Sequence, residues 1–487
     1  MSPAHTILLA LVLPLCGAML IGLCGRWPNL RETITLLTAT ALAAVVWSLT
    51  PLIMDGGRPR LHVAELFGGL EIAFSVEPLG MLFAALAATL WIVNSVYSIG
   101  YMRGNNEKHQ TRFYICFAIA IAAALGVAFA DNMLTLFLCY EILTLSTYPL
   151  VSHKGDPATV RSARVYLGIL LGSSIGLLLP AIIWTYVATG TLTFTPGGII
   201  DGFIDGPAVG LLLALYVFGV GKAAVMPMHR WLPAAMVAPT PVSALLHAVA
   251  VVKAGVFTVT KVIIYIFGVD ELFAEPSGEW LLYAAAFTII AASVIALRQQ
   301  NLKRMLAYST IGQLSYVILA AAVLTPLSEV GAAIHIVAHA LGKITLFFAA
   351  GAIYTASKKT ELHQLGGIGA RMPWTMAAFT IAALSMIGVP PTGGFVSKWF
   401  ILAGAFQTDN YVAIFTIILS TVLNAAYFLP IIFAAWFAKE APGGKDHGEA
   451  PWPAVLALSI TALGTLAFFF FNQPVLELES QLMAHIE

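Results

Sequence analysis

Along most of the chain, apolar residues continue for about 18 to 25 positions without alternating, and polar residues gather in the short segments between. Runs of that length cross a hydrocarbon core as helices. Barrel strands are about ten residues long and alternate in polarity. About fourteen spans are predicted, over roughly 5–25, 32–54, 78–99, 112–130, 132–151, 165–188, 208–229, 240–266, 280–297, 306–325, 329–355, 373–404, 410–438 and 452–474. The first run has no basic segment ahead of it, only His5, and no clear small-residue cleavage site. It reads as a mature helix rather than a signal peptide. The expectation is an all-α polytopic membrane protein forming a single transmembrane domain over 1–487.

The charged residues between the runs test this count. With fourteen spans the odd-numbered loops share one side. They hold Arg26, Arg31, Arg103, Lys108, Arg112, Lys154, Arg161, Arg164, Arg230, Arg298, Lys303, Arg304, Lys358, Lys359, Arg371, Lys439 and Lys445, and the other side holds only Arg58, Arg60 and Lys261. The positive-inside rule places the basic side in the cytoplasm. Both termini then face outward from a cell inner (plasma) membrane.

Composition closes off other classes. Hydrophobic residues make up 59% of the 487 positions and charged residues 10%, with a mean hydropathy of +0.89. That excludes a soluble enzyme or a disordered chain. Lys and Arg together equal Asp and Glu at 24 each, so no global field draws a nucleic acid. Cys16, Cys24, Cys116 and Cys139 form no CxxC and lie in or beside apolar runs, which argues against a zinc site, an iron–sulfur site or a disulfide framework.

Four basic residues, Lys222, Lys253, Lys343 and Lys398, remain inside predicted spans, together with one acid, Glu141. Each costs roughly 2.5–3.5 kcal/mol at a membrane helix centre, where Leu or Ala would serve a purely structural bundle. Burial and pairing push the proton affinity of such groups in opposite directions, which is what a proton relay needs. A set of register-fixing ion pairs fails on arithmetic, since one Glu cannot neutralise four Lys. His335, His339 and Lys343 are spaced i, i+4, i+8 and line one stripe of the eleventh span. His247 and Lys253 share the eighth span but stand about 240° apart on a regular helix, so they share a face only if that helix is distorted. His335 and His339 lack a third ligand for a metal.

Two of the lysines sit beside helix-breaking sequence. The seventh span reads FGVGKAAVMPMHRWLP around Lys222, and the twelfth reads IGVPPTGGFVSKWF before Lys398. Interrupted backbone at membrane depth is tolerated only within protein or beside a wet cavity. Matched interruptions five spans apart point to two inverted five-helix repeats, over 112–266 and 280–438, with interrupted helices 7 and 12. The segments 1–111 and 452–487 flank them as N-terminal helices and a last helix with a short tail. Gly219-Val220-Gly221-Lys222 lacks the full phosphate-loop pattern, and no NAD, flavin or haem motif is present, so no cofactor is expected.

These residues resemble the antiporter-like membrane subunits shared by Mrp-type cation/proton antiporters, respiratory complex I and membrane-bound hydrogenases. The resemblance is carried by ADNMLTLFLCYEILTLSTYPLV, GKAAVMPMHRWLPAAMVAPTPVSALLHAVAVVKAGVF, LKRMLAYSTIGQLSYV, HIVAHALGKITLFFAAGAIY and IAALSMIGVPPTGGFVSKW, which fall within about residues 80 to 405. It implies that Glu141 pairs with Lys222 and tunes its proton affinity. Lys253 and His247 would continue a central polar axis, and His335, His339 and Lys343 would carry it across the eleventh helix. Lys398 would be the terminal donor toward the outer side. Tyr140 stands where the family often has Trp, a departure expected to affect packing more than chemistry. Length, the short tail and Lys398 look most like the D subunit of an Mrp-type antiporter. Complex I and hydrogenase-type subunits are the alternatives. In each case the partners would be other membrane subunits, the lipid bilayer and protons, with Na⁺ or K⁺ as candidate counter-ions, and the chain itself would hold no redox centre. Two other classes make different demands. A standalone transporter of an organic solute would show a polar or aromatic cavity in place of a Lys/His series. A scaffold subunit would keep pumping after all four Lys were replaced.

Overall fold

The computed structural model describes residues 2–66, 68–440 and 447–483; Lys445 of the sequence reading lies outside them. Among the described residues twelve helices are long and apolar enough to cross a membrane. They are α1 (Pro3–Leu23), α2 (Pro28–Met54), α3 (Pro78–Gly104), α4 (Gln110–Ala128), α5 (Met133–Val151), α6 (Pro157–Thr189), α8 (Thr240–Phe267), α9 (Pro276–Leu297), α10 (Leu302–Val323), α11 (Pro326–Ser357), α13 (Tyr411–Phe437) and α14 (Trp452–Phe470). The two remaining predicted spans are shorter and interrupted. In α7, Pro207–Gly219 ends at Val220 and gives way to single turns as far as Val237. In α12, Pro373–Ile387 is followed by five non-helical residues and then by Gly393–Gln407.

Local sequence fixes the helix ends. Proline occupies the first turn of α1, α2, α3, α6, α11 and α14, where its missing N–H has no intrahelical partner to lose. The side chains of Asn132, Asp156, Asn301, Thr325 and Asn410 accept from the first free N–H groups of α5, α6, α10, α11 and α13.

The all-α expectation holds for the membrane part and needs one correction outside it. β1 (Arg60–Glu65) and β2 (Glu71–Ser75) pair antiparallel between α2 and α3. The turn between them uses Gly68 and Gly69 at positive φ. A further short helix, α15 (Gln473–Met483), follows α14, where the sequence reading placed only a tail.

The loops sort onto two faces. On one, Arg103 bonds Asn29 and Glu32, Arg31 bonds Gln110, Arg112 bonds the His153 carbonyl, Asn105 bonds Thr355, Lys303 bonds the Ala238 carbonyl, and Glu440 joins Lys359 and Arg371. On the other, Arg60 bonds Asp131, Tyr186 bonds the Gly68 carbonyl, and Ile199 bonds the Ile266 carbonyl. The odd-numbered predicted loops meet on the first face and the even-numbered ones on the second.

Burial is arranged for lipid. α3, α8, α10 and α11 are enclosed almost all round. Leu37, Val187, Phe287, Phe415, Val422 and Leu463 are exposed on the outer helices, as a belt facing hydrocarbon requires. Against the broken backbone of α7 packs Gly255 of α8. A Cβ there would stand 2.3 Å from Ala223 N and from the Lys222 carbonyl carbon, so only glycine lets α8 come this close.

Candidate functional site in the bundle interior

Lys222 lies just past the end of α7, in a single turn over Gly221–Ala223, and is fully enclosed. Its ammonium donates to the Tyr140 carbonyl at 2.8 Å and to Thr144 Oγ1 at 2.6 Å, and lies 3.0 Å from the centroid of the Tyr140 ring. The Lys222 N–H donates to the Tyr140 hydroxyl at 3.1 Å. Two successive turns of α5 therefore hold this cation through a carbonyl, a hydroxyl and an aromatic face. Tyr140 is thus a direct partner of the lysine through its carbonyl, its ring and its hydroxyl.

Glu141 points elsewhere. Both of its carboxylate oxygens are enclosed without a hydrogen-bond partner, and among the described residues no ion pair joins it to Lys222 within 4.0 Å. Its charge still reaches the Lys222 ammonium through the low-dielectric interior. The pairing implied by the resemblance is therefore electrostatic in this conformation and not a contact.

The helix that carries His247 and Lys253 is distorted between them. α8 carries a wide π-type turn over Leu245–Val249, and Ala250 departs from helical geometry with φ −121° and ψ −64°. Such a bulge shifts the register of everything beyond it. Both residues are fully enclosed. The His247 ring packs at 4.5 Å against Phe347 of α11 with the two planes tilted, and neither of its nitrogens has a partner.

From Lys253 a linked series begins. Its ammonium stands 2.5 Å from His339 Nδ1. The His339 and His335 rings lie 6.0 Å apart on one stripe of α11, and His335 Nδ1 meets Ser397 Oγ of α12 at 2.9 Å. The far side of the His335 ring stacks on Tyr316 at 5.4 Å, and the Lys398 ammonium lies 5.1 Å from the Tyr316 centroid. Lys398 itself donates to the Ile387 and Met386 carbonyls at 2.8 and 3.2 Å and to Thr421 Oγ1 at 3.2 Å. The break in α12 supplies those carbonyls, because the helix has stopped using them.

Lys343 reaches the same point by a second route. It donates to Ser309 Oγ at 2.6 Å, Ser309 bonds the Tyr427 hydroxyl at 2.8 Å, Tyr427 donates to Asn424, and Asn424 Nδ2 donates to the Met386 carbonyl at 3.3 Å. That carbonyl also accepts from Lys398.

The fold brings Lys253, His339, His335, Lys343 and Lys398 into one connected interior network, with His247 beside it. Lys222 and Glu141 form a separate cluster. No hydrogen bond joins the two clusters among the described residues. Sequence reasoning missed Ser309, Tyr316, Ser397, Thr421, Asn424 and Tyr427. Their signal was available as polar residues at i, i+3 or i+4 spacing inside apolar runs, as in Thr421-Asn424-Tyr427. It also assigned Lys261 to the outer loops. That residue is in α8, is 1% exposed, and pairs with Glu77 at 3.1 Å. No group of three or more His, Cys, Asp or Glu able to hold a metal ion occurs among the described residues.

A family profile described as "NADH:quinone oxidoreductase/Mrp antiporter, TM" matches residues 130–424. The chain is 30% identical to NADH-quinone oxidoreductase subunit N of Desulforudis audaxviator (strain MP104C), over 97% of each chain. Its fold is similar to a chain of the Mrp complex from Dietzia sp. DQ12-45-1b, with a TM-score of 0.88, 21% identity and coverage of 100% of this chain and 98% of that one. It is also similar to a chain of the membrane-bound sulfane sulfur reductase, an archaeal respiratory membrane complex, with a TM-score of 0.85, 23% identity and coverage of 99% and 97%.

Proposed function

The chain belongs to the NADH:quinone oxidoreductase/Mrp antiporter membrane-subunit family, and from that premise we propose that it is a proton-translocating subunit of a multisubunit membrane complex. The observation that carries this reading is the 2.5 Å approach of Lys253 Nζ to His339 Nδ1, with both residues fully enclosed. A hydrogen bond between two basic groups needs one of them protonated and aims that proton at the lone pair of the other. A purely structural pair would match a cation with a carboxylate.

Protons are taken up from the basic, cytoplasmic face near Lys222 and pass to Lys253 and His247. They run along His339, His335 and Lys343 and leave near Lys398, or travel in reverse in antiport. Water bridges the gap between Lys222 and Lys253, and the position of Glu141 sets how tightly Lys222 holds its proton. One charge crossing the full potential involves about 2.3 kcal/mol per 100 mV, enough to drive such a relay in either direction. In this reading the chain makes fourteen passes of a cell inner membrane with both termini outward. α4–α8 and α9–α13 are its inverted repeats, each interrupted at its fourth helix.

The complex we favour is an Mrp-type cation/proton antiporter in which this chain takes the D position. The 30% identity to an oxidoreductase subunit N over nearly the whole of both chains supports a second reading, a proton-pumping subunit of a quinone-reducing complex. Affinity purification of the tagged chain from its native membrane decides between them. Small antiporter subunits should accompany it in the first case and electron-transfer subunits in the second. The shared reading is tested by Lys222→Ala and Glu141→Ala. Each should abolish proton flux in vesicles while the complex still assembles, and wild-type flux in either variant would reject it.

A further inference from the structure

On the face opposite the basic loops, Glu77 sits at the N-terminus of α3 and is 9% exposed. Lys261 of α8 places its ammonium 3.1 Å from Glu77 Oε1, donates to the Ala130 carbonyl at 2.9 Å, and lies 4.3 Å from the centroid of the Phe194 ring. The Tyr265 hydroxyl, one turn further along α8, donates to the other carboxylate oxygen of Glu77. This carboxylate opens into a cavity of about 410 Å³ whose other charged lining residues are Arg58, Arg60, Asp131 and Lys261. Arg60 is already engaged by Asp131. Glu77 is therefore a fixed acid with one side on buried protein and the other on a cavity on this face.

α8 connects it to the relay. Lys253 and Lys261 stand eight residues apart on this helix, about 12 Å along its axis. Between them Phe257 of α8 packs on Phe83 of α3 at 5.2 Å, an apolar plug between the Lys253 level and the cavity. Past the plug, Thr260 lies on the Lys253 side of α8, and its hydroxyl is enclosed with no partner.

We propose that Glu77 is an outward proton-exchange group, held in place by Lys261 and Tyr265, through which the interior network reaches the outer medium at the end of α8. This rests on the proton-translocation reading and adds an outlet separate from Lys398. When water threads the plug, the Lys253 ammonium gives up a proton and becomes a neutral amine, and the proton passes through that water to the Glu77 carboxylate. The resulting carboxylic acid transfers the proton to water in the cavity, which restores the carboxylate and sends one hydronium outward. Lys261 acts as a positioning residue, through its contact with Glu77.

Two measurements on the assembled complex in vesicles of known orientation test this. In a background with the four native cysteines replaced by alanine, Ser75→Cys and Pro196→Cys line the cavity. A membrane-impermeant thiosulfonate should label both from the outer side only. Labelling solely from the cytoplasmic side, or none from either, overturns the outward cavity whatever the chain transports. In flux assays Glu77→Gln, which keeps shape but carries no proton, should lower transport at least tenfold with assembly intact. Glu77→Asp and Lys261→Arg should stay within about threefold of wild type, and Lys261→Met should move the outer-side pH profile. The groups facing Glu77 that also shape that profile are Lys261, Tyr265, Arg58, Arg60 and Asp131. Wild-type flux in Glu77→Gln, with Lys222→Ala inactive, rejects the outlet and leaves the translocation reading standing. Wild-type flux in both rejects the reading beneath it.

Discussion

Among the described residues the Lys222 ammonium donates its hydrogen bonds to α5 alone, at Tyr140 and Thr144. Hydrogen bonds to a charged group contribute about 1.5–3 kcal/mol, so the Thr144 hydroxyl is a large part of what fixes this cation. Thr144→Val preserves shape and removes the acceptor. It should slow proton flux by roughly ten- to hundredfold, read as the initial rate of internal pH change in vesicles. Tyr140→Phe keeps the ring and the carbonyl and loses only the acceptor for the Lys222 N–H. Its flux should stay within about threefold of wild type, and a loss as deep as that of Thr144→Val would show that the hydroxyl, not the carbonyl and ring, is the important contact. The sequence pointed to Lys222 because a lone cation in an apolar run is conspicuous. It could not point to Tyr140, because a backbone carbonyl is present at every position and only tertiary placement selects one.

At the scale of elements, hydropathy made the helices legible and left their irregularities to be found. All fourteen predicted spans overlap observed helical segments, since apolar length is a one-dimensional property. The breaks in α7 and α12 were legible too, from Pro and Gly clustered beside Lys222 and Lys398. The π-type turn of α8 over Leu245–Val249 was not, because that segment contains no residue that demands it. Lys261 was misplaced for a related reason. A lysine near a span end is normally free to reach the interface, and this one is instead captured by Glu77 from a different helix. The close approach of α8 to the α7 break gives a test. Gly255→Ala inserts a methyl group 2.3 Å from backbone atoms of Lys222 and Ala223, and overpacking of this kind costs typically 1–3 kcal/mol. The purified complex should unfold at a lower temperature and carry less flux. An unchanged melting temperature would mean that the two helices are free to part.

The whole molecule separates its titratable groups into an interior network and two surface faces, and the basic face holds a group whose titration should be visible in stability. His153 lies just beyond the end of α5 and is 2% exposed, with its carbonyl taken by Arg112 and its ring edge-on to Phe113. Burial, reinforced by the positive charge of Arg112, pushes its imidazole down to about 4. Arg112, Lys108, His109 and Lys154 are the charged or titratable groups around it. An unfolded histidine binds its proton near pH 6.5. Between about 6.5 and about 4 the unfolded chain therefore takes up a proton that the native site refuses, and linkage makes the folded state less stable as the pH falls through that window. Above about pH 6.5 both states are neutral there and the contribution is complete. His153→Leu removes this proton uptake. Melting temperatures measured from pH 7.5 to 4.5 should fall less steeply for the variant than for the wild type, and the two curves should converge in slope above about pH 6.5. Parallel curves over the whole range would mean that the imidazole is hydrated in both states. The test matters beyond one residue, because the proposed uptake of protons from this face requires it to stay folded at the acidic end of its working range.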